Sequence, residues 1–186
     1  MRRLVDIAVA LAAFVALAVP MLLIAVAVRV TSKGPALYWS ERVGQYNRKF
    51  QMPKFRTMRL DAPIIATHLL DGAYRYLTPI GPFLRKSSLD ELPQLWSILC
   101  GDMTLIGPRP ALFNQEDLIC ERTAVGVHEL VPGLTGWAQV NGRDELPLTL
   151  KVSLDAEYLL RRSFWFDLKI VWMTVLKVLA RDGVSH

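Results

Sequence analysis

Cysteine and histidine are scarce in this chain of 186 residues, which has two of the first and three of the second. His68, His128 and His186 are scattered and match no metal-ligand spacing, which excludes a zinc centre of the usual kinds. Cys100 and Cys120 form no CxxC and no Cys/His pattern, so a dithiol redox motif is excluded as well. Their neighbours are apolar, and the expectation is buried, reduced thiols in a cytosolic setting. No Walker A sequence and no GxGxxG loop is present to cradle a phosphate. Internal repeats and low-complexity tracts are absent. The basic residues are dispersed and no recognised nucleic-acid module appears, so nucleic acid is not an expected partner. Charge is missing altogether from Ile7 to Val28.

What is present is apolar and basic. Hydrophobic residues make up 52% of the chain, its mean hydropathy is +0.27 and its formal charge is +5. The first two values indicate membrane association, and the third suits an anionic partner such as lipid headgroups or nucleotide diphosphates. The length allows one domain with a real core, or a small domain with an appendage. The run "IAVALAAFVALAVPMLLIAVAV", at about 1.5 Å per residue, is long enough to cross a bilayer. It lacks the cleavage site of a signal peptide. Pro20 near its middle removes a backbone hydrogen bond and breaks the helix. Arg2 and Arg3 precede the run while Arg29 and Lys33 follow it, and a single span keeps only one of two basic flanks on the favoured side. A hairpin that enters and leaves one leaflet satisfies both facts; a kinked ordinary span is the alternative.

At the other end, "SFWFDLKIVWMTVLKVLARDG" places Phe164, Leu168, Val171, Trp172, Val175 and Leu179 at helical spacing. Asp167, Thr174, Lys177 and Arg181 form the opposite stripe. This is an amphipathic helix, suited to the headgroup plane or to packing on a core. Between the two ends, "ALYWSERVGQYNRKFQMPKFRTM" reads as two strands around a Gly44–Asn47 turn, ending in Lys54, Arg56 and Thr57. In "GDMTLIGPRPAL" two prolines fix the backbone around Arg109. "VPGLTGWAQVNGRDELPL" is a glycine-rich loop with Trp137, Gln139, Asn141 and Arg143. "LRKSSLDELPQLWSIL" is a turn and helix with Asp90 and Glu91 side by side in its first turn. Ser88-Leu89-Asp90-Glu91 fits a capping box, in which serine and glutamate cap each other's backbone donors. A helix cap and a catalytic pair are both open readings of these residues alone.

Taken together and in order, "KFRTM", "LRKSSLDELPQLWSIL", "GDMTLIGPRP" and "PGLTGWAQVNGR" behind an apolar N-terminus resemble the bacterial sugar transferase family. These are monotopic phosphoglycosyl transferases, and the likeness runs from about Arg2 to Leu179. It implies an α+β, membrane-associated fold. Residues 1–33 would be a reentrant helix-break-helix turning at Pro20. Residues 34–186 would be a small mixed catalytic domain with short strands and amphipathic interfacial helices, on the cytoplasmic face of the bacterial inner membrane.

The resemblance also implies an activity: transfer of a sugar-1-phosphate from a UDP-sugar to polyprenol (undecaprenyl) phosphate, releasing UMP, with magnesium and an Asp-Glu pair. Asp90 matches the nucleophile of a covalent aspartyl-phosphosugar intermediate. Glu91 would join Asp90 as a metal ligand or act on the acceptor. The helix N-terminus would offer partial positive charge and free N–H groups beside the acids. Lys54, Arg56, Arg85 and Arg109 would clamp phosphates, with Gln139 and Arg143 in supporting substrate contacts. The expected partners are UDP-sugar, polyprenol phosphate and the phospholipid bilayer, in a monomer or a homodimer. An inactive membrane-surface scaffold and a metal-dependent phosphohydrolase of nucleotide sugars are the competing functions. Three positions depart from the family pattern: Val19 stands before Pro20 where serine is usual, Pro53 precedes Lys54, and Tyr46-Asn47-Arg48 replaces an Asn-Gly turn.

Overall fold

The computed structural model describes residues 2–63, 72–142 and 146–180. The chain divides into two compact units. One comprises Met1–Ser40 with Gln51–Leu99, the other Glu41–Phe50 with Cys100–Gly183, so the first β-hairpin contributes to both.

The first unit begins with two helices, α1 (Arg2–Ala16) and α2 (Ala18–Thr31), whose axes turn by 61° at the break. The break falls at Leu17, with φ −97° and ψ 5°. Pro20 causes it from the first turn of α2: it has no N–H for the Ala16 carbonyl, and its ring crowds that oxygen. Among the described residues no single helix is long and apolar enough to cross a membrane; the bent pair qualifies together by length and composition. One face of α2 is buried. Val28 joins Phe55 and Leu84 in a core, with Met21, Ile24, Ala25, Leu89 and Leu92 packed around them. The opposite face leaves Val19, Leu22, Leu23, Val26 and Val30 exposed. At the start of α1, Arg3 donates from Nη1 to the Ile98 carbonyl at 2.5 Å and from Nη2 to Leu99 at 3.0 Å.

Strands β1 (Leu37–Val43) and β2 (Lys49–Phe55) form the expected hairpin. Its turn holds Tyr46 and Asn47 at φ 55° and 58°. Asparagine tolerates that region and tyrosine does so rarely. Backbone bonds between Gly44, Gln45 and Arg48 close the turn, and two side-chain hydrogen bonds hold it: Gln45 Nε2 to the Glu129 carbonyl, and Asn47 Nδ2 to Thr123 Oγ1. Pro53 does not prevent β2 from forming, because β2 is an edge strand in the order β2-β1-β4, where a missing N–H leaves no ladder bond unmade. After β2 come α3 (Gly81–Lys86), a 3₁₀ stretch over Leu89–Gln94, and α4 (Leu95–Cys100).

The second unit is built on β3 (Thr104–Ile106), β4 (Ala111–Leu112), α5 (Glu116–Ala124), β5 (Gly133–Thr135), α6 (Trp137–Asn141), α7 (Leu148–Arg161) and α8 (Phe164–Ala180). The end of β1 pairs antiparallel with β4, Arg42 opposite Leu112 and Val43 opposite Ala111. Strands β3 and β5 run parallel, Thr104 opposite Gly133. Glycine is required there, since a Cβ on Gly133 would lie 2.0 Å from the Gly107 nitrogen. The core gathers Leu130, Trp137, Val140, Tyr158, Phe166 and Ile170.

Helix α8 has two apolar faces. Phe166 and Ile170 enter the core, while Trp165, Leu168, Val171, Trp172 and Val175 stay exposed and line an open apolar groove. The stripe expected to be polar is partly internal instead. Tyr158 Oη donates to Asp167 at 2.9 Å, and the hydroxyls of Thr174 and Thr135 pair at 2.7 Å. Arg181 lies outside the described residues. A second correction concerns the thiols: Cys100 and Cys120 are both exposed, since each faces away from the buried positions of its helix, Leu95, Ser97 and Ile98 in α4 and Leu118 and Arg122 in α5.

Candidate active site

Asp90 and Glu91 sit in the first turn of the 3₁₀ stretch Leu89–Gln94, as the sequence suggested. The capping box does not form. Ser88 adopts the left-handed region, φ 56° and ψ 16°, and its side chain caps nothing. The tight winding also uses donors expected to be free: the Glu91 N–H already bonds the Ser88 carbonyl at 3.2 Å. The acids are therefore oriented by side-chain charges more than by a helix terminus. Non-glycine residues in the left-handed region hold local strain, and strain of this kind gathers at functional sites.

Two cations surround the pair. Lys54, from β2, places Nζ 3.3 Å from Glu91 Oε1, and both side chains are largely buried. Arg85, from the last turn of α3, donates from Nε to Thr57 Oγ1 at 3.0 Å. Burial lowers the Arg85 guanidinium below its ordinary pKa, and the carboxylate of Asp90 opposes that shift by raising it. The opposition places Asp90 in Arg85's electrostatic range. Asp90 itself is 8% exposed. A carboxylate within reach of a cation is the group that a nucleophile or a hard-metal ligand role calls for.

Thr57 is the residue the sequence reading underrated. Besides receiving Arg85, its carbonyl accepts the Thr78 N–H at 2.9 Å, and a Cβ on Gly81 would meet that oxygen at 2.4 Å. It thereby joins the end of β2 to the start of α3. The only local signal was a polar residue closing an apolar strand. Arg56 belongs to a different task. It is 4% exposed, and its guanidinium goes to the Pro35 carbonyl at 2.7 Å and to the Ser32 carbonyl and hydroxyl at 3.2 and 2.9 Å. These contacts tie the residue after β2 to the end of α2 and the loop that follows it. Burial first, then the nearby Arg29, lowers its pKa.

In the second unit Arg109 lies between Pro108 and Pro110 on the wall of a small, open cleft shared with Asn47, Arg122 and His128. Its backbone is held from behind, because Arg122 Nη1 donates to the Arg109 carbonyl at 2.8 Å. Arg122 is fixed in turn by Asp155, whose Oδ2 receives Nε at 3.0 Å and Nη2 at 2.5 Å. Burial raises the Asp155 carboxyl, and Arg122 pulls it back down. Nothing local in the sequence pairs these two residues, which lie 33 positions apart. Gln139 is buried, and its Nε2 is committed to the Leu134 carbonyl at 2.9 Å. Arg143 lies outside the described residues. The structure thus gathers Asp90, Glu91, Lys54 and Arg85, directs Arg56 and Gln139 to internal contacts, and presents Arg109 on a separately built turn.

As for a metal, the described residues contain no cluster of three or more potential ligands from His, Cys, Asp and Glu. Adjacent Asp90 and Glu91 supply two hard oxygen donors, which fits an ion that takes one or two carboxylates and completes its shell with substrate phosphates and water.

Comparison with known proteins shows the family of the chain. A family model described as bacterial sugar transferase matches residues 1–181. The chain is 40% identical over 186 residues to EpsL of Bacillus subtilis, named an uncharacterized sugar transferase, covering all of this chain and 91% of that one. It is 40% identical over 192 residues to a UDP-glucose:undecaprenyl-phosphate glucose-1-phosphate transferase of Caulobacter vibrioides, covering 98% of this chain and 71% of the relative. It is 38% identical over 185 residues to an undecaprenyl-phosphate glucose phosphotransferase of Komagataeibacter xylinus; that match takes in 94% of this chain but only 35% of the longer relative. The chain belongs to the bacterial sugar transferase family.

Proposed function

We propose that this protein is a phosphoglycosyl transferase that moves a sugar-1-phosphate from a UDP-sugar to polyprenol phosphate. The observation that carries the reading is the Asp90–Glu91 pair held against Lys54 and Arg85 in one buried turn. In the first half-reaction a carboxylate oxygen of Asp90 attacks the phosphorus that bears the sugar. That bond forms as the P–O bond to UMP breaks, leaving an aspartyl-phosphosugar. In the second, an oxygen of polyprenol phosphate attacks the same phosphorus, and the Asp90 carboxylate leaves unchanged. Both steps bring anions together, so the cations act on developing charge. Lys54 and Arg85 would meet the phosphate oxygens, and Arg109 on its rigid turn would do the same by a two-pronged contact. Asp90 and Glu91 would hold magnesium, which supplies Lewis-acid charge stabilisation when bound.

Attachment to the cytoplasmic face of the bacterial inner membrane is part of the same reading. Two contacts support a reentrant path for α1 and α2 over a span. Arg3 at one end bonds the carbonyls of Ile98 and Leu99, and Val28 at the other end packs with Phe55 and Leu84. Both ends are thus tied to the unit that carries the acids. Helices of this length, bent by 61° and entered symmetrically, would reach about 11 Å deep, short of the ~15 Å half-thickness of the hydrocarbon. The exposed tryptophans of α8 suit the headgroup level.

The test is intact-protein mass after incubation with UDP-sugar and magnesium, without acceptor. Wild type should gain one sugar-phosphate and release UMP, and Asp90→Asn should gain nothing while folding normally. Turnover should need added polyprenol phosphate. A fully active Asp90→Asn, or an adduct that persists in it, overturns the mechanism; UMP release that ignores the acceptor supports a hydrolase instead.

A further inference from the structure

We propose that Gln94 and Ser97 are positioning residues for the acid pair, holding between them a buried water that carries hydrogen bonding to the Glu91 carboxylate. The proposal rests on the transferase reading above. It starts from two buried polar atoms. Gln94 and Ser97 are each 1% exposed, yet Gln94 Nε2 and Ser97 Oγ have no hydrogen-bond partner among the described residues. Buried polar groups are almost always paired, and an orphaned one calls for an explanation. An amide nitrogen only donates, whereas a hydroxyl both donates and accepts. The bridging group must therefore accept from Nε2 and exchange a hydrogen bond with Oγ. Water is the smallest group that does both, and internal waters characteristically join such atoms.

Helical winding gives the direction of the row. In a 3₁₀ stretch, side chains three apart eclipse one another. Glu91 and Gln94 both lie in Leu89–Gln94, and Ser97 follows three positions later in α4. The row thus starts at a carboxylate paired with Lys54 and runs along the helix into the interior. Leu95 and Ile98, beside it in the same helix, are buried and apolar. Apolar side chains at 94 and 97 would fill the core equally well, so packing alone does not account for an amide and a hydroxyl there. A fully satisfied polar row does, because it fixes the orientation of the group at its end.

The experiment uses the full chain in phosphatidylethanolamine/phosphatidylglycerol nanodiscs, with Gln94→Met, Ser97→Ala and Ser97→Thr. Steady-state kinetics are read with a UDP-sugar and polyprenol phosphate, and magnetisation transfer from water to the Gln94 side-chain amide is read by NMR. Gln94→Met should lower kcat by about 10–100-fold, the scale for a residue supporting a reacting ligand from behind, with KM nearly unchanged. Ser97→Ala should shift kcat the same way, and Ser97→Thr, which keeps the hydroxyl, should restore it. The Gln94 amide should exchange magnetisation with a long-lived water, and Ser97→Ala should remove that signal. Unchanged kcat in Ser97→Ala, a Ser97→Thr that behaves like alanine, or an amide without a bound water each overturns the proposal. If Gln94→Met does not fold, the two Ser97 variants decide. If wild type releases no UMP, the transferase reading fails, and the water signal still decides whether the site exists.

Discussion

Arg109 and Asp155 show how one side chain's role depends on another's support. Arg109 projects from a turn fixed by two prolines, and the carbonyl behind it is held by Arg122, which Asp155 holds in turn. Arg109→Lys keeps the charge and loses the guanidinium fork. The expected cost is roughly 1.5–3 kcal/mol in transition-state binding, the scale of a hydrogen bond to a charged group, read as a fall in kcat/KM for UDP-sugar. Full activity of the lysine variant at low substrate would show that the fork is not used. Asp155→Asn acts on the fold first. It leaves the buried Arg122 guanidinium without its carboxylate, so the expected loss of stability is about 3–5 kcal/mol by denaturant unfolding. A loss under about 1 kcal/mol would mean the pair behaves like an exposed one.

Elements carry a different kind of information. Pro20 was readable from the sequence as a break because proline's effect is local: a missing N–H and a ring that crowds the preceding turn. Pro20→Leu should restore the Ala16 hydrogen bond and straighten α1 and α2 toward one continuous helix. The check is the accessibility of a cysteine placed before Arg2. It should label from the cytoplasmic side in wild type and shift toward periplasmic labelling in Pro20→Leu, whereas an unchanged pattern would mean the contacts at both ends set the path without Pro20. The β1–β2 hairpin and the acid pair were legible for a similar reason, since each is encoded in one contiguous stretch. Of the two readings open for the acids, the Ser88 cap does not form, because the motif assumes α-helical winding and the 3₁₀ turn with Ser88 at φ 56° takes the donor away. The contacts of Arg56, Thr57 and Arg122 were not legible because their partners lie 21 to 33 residues away, beyond any local pattern. The cysteines were misread because apolar neighbours in sequence do not fix which side of a short helix faces solvent.

At the scale of the whole molecule, each unit presents its own apolar surface: the outer face of α1 and α2 in one, and that of α8 in the other. If α8 rests among headgroups, brominated phospholipids in vesicles should quench Trp165 and Trp172, which are 76% and 64% exposed, and spare Trp137, which is 9% exposed. Replacing both exposed tryptophans by phenylalanine should remove most of the α8 contribution to quenching; an unchanged curve would place that face in water. The bond from Arg3 to Ile98, 95 residues apart in the chain, also sets an order of events during synthesis. Helix α1 leaves the ribosome first, and its partner carbonyls follow roughly 5–20 s later at ordinary elongation rates. For that interval the apolar run has no catalytic helix to close onto, and the lipid surface is the shelter at hand. Reentry asks nothing charged to traverse the hydrocarbon, whereas a span in the opposite sense would carry Arg2, Arg3 and Asp6 across it, against the preference of basic flanks for the cytoplasmic side. On the reentrant reading, the nascent chain would be moored before the helix after its acid pair exists, and the pair would be assembled on a surface already holding the lipid it is to modify.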